Sequence, residues 1–318
     1  MIRSKRVRGS TYVLTTKPTV GLFLTTEAEG VLIDSGGGDA TAGEILELLT
    51  REGITLRGIV NTHSHADHCG GNAALQAATG CAIVASPIAA AWMEYPLLLA
   101  MTLSGGGHPP AALQGRQLLP RPSRASAVVS GDFDLAGYHF SVLPTPGHLP
   151  GHLAIGTEDE VLFCGDAAFG ESTLRRHRLM LMSEPERFVE SLDALASAPA
   201  AALVLGHGGV LSSSAVHPLL EQNRQAVLAA SALIARCATH PIDLEELTAL
   251  VLKELQVRCG IGQYALFRAT ISGHLRWLEE QGVVAFSMVG TRLVVGPPMR
   301  AAPAAAASAR TSVPQPPS

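Results

Sequence analysis

Three histidines and one aspartate fall within six residues at His63-Ser64-His65-Ala66-Asp67-His68, in the pattern H-x-H-x-D-H. Imidazoles and carboxylates at this density read as a ligand set rather than as core. Packed with nothing bound, their polar atoms would carry an uncompensated desolvation cost. Three further units place a single ligand-type residue after a short apolar run and a glycine. Phe140-Ser141-Val142-Leu143 leads to Gly147-His148, Val161-Leu162-Phe163-Cys164 to Gly165-Asp166, and Ala202-Leu203-Val204-Leu205 to Gly206-His207. Five imidazoles and two carboxylates, with no thiolate, suit zinc, iron or manganese. Seven donors exceed one tetrahedral ion and fit two ions that share a carboxylate. Such a pair can hold a bridging hydroxide of lowered pKa and polarise a scissile carbonyl or phosphoryl oxygen. The expected chemistry is hydrolysis.

The elements around these residues must bring them to one place. Gly58-Ile59-Val60 reads as the end of a buried strand before the motif, and Asn72 to Ala78, closed by Gly80, as a short helix after it. The motif therefore lies on a strand-to-helix loop. Thr11 to Leu14, Val20 to Leu24 and Val31 to Ile33 read as strands, and Ala42 to Glu52 as a helix. Gly36-Gly37-Gly38 is a turn, since no phosphate-loop Lys-Ser/Thr follows it. Strands that each end in a ligand converge on one edge of an α/β layer. The order predicts an α/β catalytic domain over 1–212, interrupted by a lid-like insertion over 87–127. There, Trp92, Tyr95 and the leucines at 97–99 read either as core or as an apolar wall over the site.

From residue 213 the character changes. Val216 to Ala235, a segment opened by Asp243 with Glu246 three residues on, and Tyr264 to Gln281 before Gly282 all read as helices. Val283 to Phe286 and Leu293 to Val295 flank a turn at Gly290 and read as a hairpin. Helices followed by a hairpin suggest a winged-helix-like module over 213–296. Its acidic and basic residues balance, so it lacks the footprint of a DNA reader, and a role in closing the pocket is expected. The Pro-, Ala- and Ser-rich tail over 297–318 is expected to be disordered.

Composition bounds the reading. The chain has 318 residues, 47% hydrophobic, with a formal net charge of −4. That balance argues against nucleic acid as partner. No apolar run suits a signal peptide or a membrane span. Five scattered cysteines without a C-x-x-C pair fit a reducing, cytoplasmic location, with Cys69 and Cys164 as small buried hydrophobes. A homodimer is the default for a soluble oligomer.

H-x-H-x-D-H with the separate Gly-His, Gly-Asp and Gly-His units resembles the metallo-β-lactamase superfamily, over roughly Thr11 to Val210. The fold this implies is an αββα sandwich. The resemblance assigns His63, His65 and His148 to one metal and Asp67, His68 and His207 to the other. Asp166 would bridge two Zn2+ ions, or iron or manganese in their place, and Asp34 would support the metal loop through hydrogen bonds. Asp67 would orient the attacking hydroxide and accept its proton. Thr145-Pro146-Gly147-His148-x-x-Gly151-His152 looks like the glyoxalase II branch, and the C-terminal helices are similar to the lactamase-beta-2-like subgroup. That subgroup implies a hydrolase acting on an ester-like bond, chiefly a thioester, in a small-molecule or carrier-bound acyl substrate. Leu149 stands where many relatives carry Ser or Thr. The stretch Ala167 to Glu171 lacks the glyoxalase II glycine-cysteine turn, and the last domain lacks that enzyme's basic glutathione cluster.

Three other readings use the same motifs. A mononuclear-iron persulfide dioxygenase keeps H-x-H-x-D-H, a metal-dependent ribonuclease keeps the fold, and a metal-stabilised binding protein would use the pocket without chemistry. The absence of an export signal counts against β-lactam hydrolysis. His152 is expected to support the site, while His139, His177, His217, His240 and His274 read as surface or helix residues. His108 is a candidate for the mouth of the site. The basic run Arg175-Arg176-His177-Arg178 is either a solvated loop or a clamp for a phosphate or carboxylate.

Overall fold

Period-two alternation along the strands decides the architecture of this chain. The computed structural model describes residues 1–116 and 118–298. Among them, the first sheet has seven strands in chain order: β1 (Ser4–Arg8), β2 (Thr11–Leu14), β3 (Val20–Thr26), β4 (Glu29–Ile33), β5 (Thr55–Val60), β6 (Ala82–Ala85) and β7 (Ala127–Val128). β1 to β4 form an antiparallel meander, and β4 to β7 run parallel. The connections carry α1 (Asp39–Glu52), α2 (Ala66–Cys69), α3 (Asn72–Thr79), α4 (Pro87–Glu94) and α5 (Leu97–Leu103).

The second sheet is built from β8 (Phe133–Leu135), β9 (Tyr138–Pro144), β10 (Leu153–Thr157), β11 (Val161–Phe163), β12 (Ala202–Leu205) and β13 (Gly209–Ser212). Between β11 and β12 lie α6 (Glu171–Arg176) and α7 (Pro185–Ser197). Val31 and Ile33 of β4 join Leu153 and Ile155 of β10 and Val204 of β12 in one core between the sheets. Their neighbours point the other way. Leu32 packs under Ile45 and Leu48 of α1, and Leu203 and Leu205 pack under α7 through Phe188 and Leu192. The result is the helix–sheet–sheet–helix sandwich expected of the α/β domain.

The remaining elements are α8 (Ser213–Cys237), α9 (Leu244–Glu254), α10 (Ile261–Glu280) and a hairpin of β14 (Ala285–Val289) and β15 (Arg292–Gly296). α8 serves two cores. Leu219, Leu220 and Val227 pack on the second sheet, whereas Ala230, Ile234 and Cys237 pack with α9 and α10. A 25-residue helix is about 37 Å long, enough to reach from one core to the other. The start of the helical module at residue 213 is therefore not a gap in packing. Asp243 caps α9 by accepting the Glu246 N–H at 2.8 Å, and its second oxygen pairs with Arg292 of β15. Residues 299–318, most of the expected tail, lie outside the described residues. Among the described residues no helix is long and apolar enough to cross a membrane.

The insertion carries short helical elements. Ser86 caps α4, Pro96 opens α5, and a 3-10 turn spans Ala111–Leu113. Met93 and Leu99 are buried, but Tyr95, Leu97 and Leu98 are exposed. Leu113 and Leu118 pack against Ala265 and Leu266 of α10 and close the insertion onto the helical module.

His274 is one of the histidines read as surface or helix residues, and it is a helix residue. It lies on α10 but is fully buried, with Nδ1 2.8 Å from Ser231 Oγ on α8, and its Nε2 meets no described partner. Burial pushes it down to about 4, against about 6.5 in an unfolded chain. Between those values the unfolded chain binds a proton that the folded chain refuses. Stability is thus fully present above about pH 6.5 and is lost as pH falls toward 4, by about 3 kcal/mol in all. Denaturant titrations at pH 7.5 and near pH 4 should show that His274→Leu loses about 3 kcal/mol less than the parent over this range. Equal losses in the two proteins would mean that His274 charges freely within the fold.

Candidate metal centre

Four strands that end at the same edge each deliver one part of the site. β5 leads to residues 61–65, β9 to residues 145–148, β11 to Asp166 and β12 to His207. All seven ligand-type residues named from the sequence meet there. They form two groups, His63, His65, His148 and Asp166 in one and Asp67, His68 and His207 in the other. In each group one donor atom per residue lies within 4.8 Å of the others. His63 Nε2 is 3.2 Å from His65 Nδ1, which is 2.8 Å from His148 Nε2. Four donors at 2.0–2.2 Å around one tetrahedral ion stand about 3.3 Å apart, so this spacing suits a cation.

Hydrogen bonds on the outward side fix which nitrogen faces in. His148 donates its Nδ1–H to the Leu181 carbonyl at 2.6 Å. His68 donates its Nδ1–H to Asp34 Oδ2 at 2.7 Å. The Thr62 hydroxyl donates to the same Asp34 oxygen at 2.9 Å and so can accept from His63 Nδ1 at 3.0 Å. In its neutral form each of the three rings then presents Nε2 to the centre, the tautomer a metal needs. His68 Nε2 faces Asp166 Oδ1 at 3.3 Å, yet both buried atoms lack a hydrogen bond to any described residue. Buried polar atoms are normally satisfied, and a bound cation would satisfy these two. The donor set and the orphaned pair therefore fit a metal.

The two groups differ electrostatically. Burial, reinforced by the neighbouring imidazoles, pushes His63 well below its ordinary value and His65 down to about 3. Burial also lowers His148, although Asp166 works against it. Burial opposes a charge on His68 and His207 as well. There the carboxylates win: Asp166 and Asp34 raise His68, and Asp67 and Asp166 raise His207. Asp67 Oδ2 lies 3.3 Å from His207 Nε2. Burial opposes its ionisation, but the His207 hydrogen bond and the His68 charge hold the Asp67 carboxyl down to about 2.

His152 supports the centre from below. Its Nδ1 lies 2.8 Å from Thr145 Oγ1, its Nε2 accepts the Asp166 N–H at 3.1 Å, and its ring stacks on His63. Gly206 sits where a Cβ would be 2.6 Å from Asp166 Oδ1, so only glycine lets β12 pass this close. Leu149 is buried beside His148. Cys69 and Cys164 are buried, which pushes both thiols up and away from reactivity.

A cavity of about 270 Å³ opens in front of the donors. Its apolar wall is not the insertion leucines at 97–99. It is formed by Phe169, by Leu179 to Leu181, and by Leu266 and Phe267 of α10, with Leu118 as the insertion's contribution. Gln263, Leu266 and Phe267 share one helix face by their three- and four-residue spacing. His108 lies outside this lining, on an exposed loop beside Gln114. Leu181 is invisible from sequence because it acts through a main-chain carbonyl. The wall residues are masked because their spacing reads as ordinary helix core.

An αββα sandwich with two His/Asp clusters at one strand edge defines a metal-binding class of fold. Residues 15–207 match the model of the metallo-beta-lactamase superfamily, and the chain belongs to that superfamily. It is similar to the hydroxyacylglutathione hydrolase of Methylococcus capsulatus, 32% identical over 163 residues, covering 51% of this chain and 51% of that protein. The hydroxyacylglutathione hydrolase of Albidiferax ferrireducens is 31% identical over 184 residues, 56% of this chain and 57% of that one. The chain thus spans about half the length of the curated relatives it matches. A metallo-beta-lactamase family protein from Thermus thermophilus shares the fold with a TM-score of 0.70 at 22% identity, covering 91% of this chain and 98% of that chain. A beta-lactamase domain protein from Burkholderia ambifaria reaches 0.72 at 16% identity, over 92% and 93%.

Asp34 accepts from the Thr62 N–H at 2.8 Å as well as from Thr62 Oγ1 and His68. Asp34→Asn keeps the shape but replaces one acceptor with a donor aimed at groups that themselves donate. Metal affinity, measured by chelator competition, should fall by roughly 10–100-fold with the fold intact. Unchanged affinity would show that His68 does not depend on this carboxylate.

Proposed function

We propose that the chain is a metal-dependent hydrolase that cleaves a thioester at two cations held side by side. The observation that carries this reading is the position of Asp166 between the two groups. Its Oδ1 lies 3.3 Å from His68 Nε2, and its Oδ2 lies 3.4 Å from His148 Nε2 and 3.7 Å from His207 Nε2. His63, His65 and His148 would hold one cation, Asp67, His68 and His207 the other, and Asp166 would serve both. Two divalent cations bound there, zinc or else iron or manganese, would supply a water acidified toward neutral pH and a Lewis acid for a carbonyl oxygen.

The chain's own side chains do the rest. Asp67 is half-exposed at the cavity and ionised at neutral pH, so it can accept a hydrogen bond from the attacking water and orient it. His207 holds that carboxylate in place. Phe169, Leu118 and Leu266 would surround the acyl group and keep bulk water from it, which strengthens polar contacts at the reacting carbon. The apolar lining favours an acyl group over a nucleic acid, in keeping with the net charge of −4. The curated relatives, named for hydrolysis of a glutathione thioester, support the same bond type.

Elemental analysis of protein purified without added metal or chelator should find about two zinc, iron or manganese ions per chain. Asp166→Asn should leave fewer than two and reduce thioester kcat by at least ~100-fold, beyond the usual loss on removing an outer partner. Its circular dichroism should be unchanged. Full thioesterase activity in that variant would sink the two-metal reading. A single iron in the parent protein, with sulfite formed from persulfides, would replace it with oxygenase chemistry.

A further inference from the structure

Beyond the apolar cavity the depression continues into a groove of about 270 Å³ that carries Arg176, Arg178 and Arg258. The two spaces share His177, Leu179, Gln263 and Phe267, so one channel runs from the candidate metal donors to the arginines. The guanidinium groups come from distant parts of the chain. Arg176 ends α6, Arg178 follows it, and Arg258 lies on the connection between α9 and α10. Arg178 Nη1 donates to the Leu255 carbonyl at 3.4 Å, which ties the two segments together.

Most arginines nearby are neutralised. Arg175 pairs with Glu171, Arg268 with Glu245, and Arg276 with Glu186 and Glu280. Among the described residues, none of the three groove arginines forms an ion pair with a carboxylate, and no acidic side chain lines the groove. Like charges gathered in one concave space repel unless an anion joins them. One bidentate arginine suffices for a carboxylate. Three fit a phosphate, which carries up to two charges and three acceptor oxygens.

We propose that this groove is a phosphate-binding arm of the substrate channel, and that the preferred thioester has a thiol part ending in a phosphate. The inference rests on the hydrolase reading for its reacting end and on the arginines alone for its binding end. The acyl carbon would sit at the His/Asp clusters, the intervening chain would run past Leu179 and Phe267, and the phosphate would meet Arg176, Arg178 and Arg258.

The test uses the metal-loaded full chain and its Arg176→Ala/Arg258→Ala double variant. Calorimetry with adenosine 3′,5′-bisphosphate should show binding to the parent and at least roughly tenfold weaker binding to the variant, as loss of charge-assisted hydrogen bonds requires. In kinetics, butyryl-coenzyme A is compared with butyryl-N-acetylcysteamine, which has the same acyl group and no phosphate. The variant should raise KM for the first by about tenfold or more and leave kcat/KM for the second within about twofold. Absent binding, equal affinity in the two proteins, or equal losses on both thioesters would overturn the phosphate arm. Arginine-dependent binding without turnover of either thioester would uphold the arm and remove the thioesterase reading. Glutathione competing as well as the bisphosphate would mark the groove as a carboxylate site and overturn the assignment to phosphate.

Discussion

Seven ligand-type side chains point donor atoms toward one edge of two sheets. Burying so many polar groups together carries a desolvation cost, and the surrounding structure has to hold them in place. Asp34 does the largest share. It is buried, sits in the left-handed region at φ 62, and gathers the Thr62 main chain, the Thr62 hydroxyl and His68 around one carboxylate. Those hydrogen bonds offset the cost of burying its charge. They also require the turn after β4 to lie directly against α2. A Cβ at Gly71 would stand 2.3 Å from the Ser35 carbonyl, and one at Gly70 would stand 3.0 Å from the Gly38 nitrogen. Gly70 and Gly71 thus serve the close approach of two backbones.

The helical module is coupled to the same cluster. Residues 178–184 cross from the module to the sandwich and present the Leu181 carbonyl to His148. This segment is held at both ends. The Ser183 and Glu184 N–H groups bond the Gly147 carbonyl at 2.9 Å, and the Met182 N–H bonds Thr270 Oγ1 of α10 at 3.2 Å. Gly273 allows α10 to approach because a Cβ there would meet the Ser183 carbonyl at 2.5 Å. One helix therefore lines the cavity through Leu266 and Phe267 and positions a ligand-type histidine through an intervening strap. Disturbing α10 would be felt at His148 without any direct contact between them.

The site is more legible in the sequence than the fold around it, for a physical reason. Ligand chemistry depends on residue type, and His63 to His68, His148, Asp166 and His207 declare themselves by type and by the glycine before the later ones. The outward partners do not. Leu181 acts through a carbonyl that every residue has, and Thr62 through a hydroxyl common on any surface. Strands with an apolar side are readable, as at β3, β4 and β12. β1 is not, because its Lys5, Arg6 and Arg8 belong to an exposed edge where charge guards against further pairing. β10 escapes notice because it is short and carries Gly156, although all five of its residues are buried. The leucines at 97–99 suggest a wall over the site because apolar runs resemble one another in sequence. Leu97 and Leu98 instead face solvent, and the wall falls to helices and a strap far along the chain.

The asymmetry of the cluster bears on how it would work. His63, His65 and His148 are pushed toward neutrality by burial, while His68 and His207 are drawn toward charge by Asp34, Asp67 and Asp166. One group sets three imidazoles beside the Asp166 carboxylate, and the other sets Asp67 beside two imidazoles drawn toward charge. Asp166 faces both sides at once, so a change in charge on one is transmitted to the other through a single carboxylate. Asp166 thus stands within 4 Å of ring nitrogens in both groups.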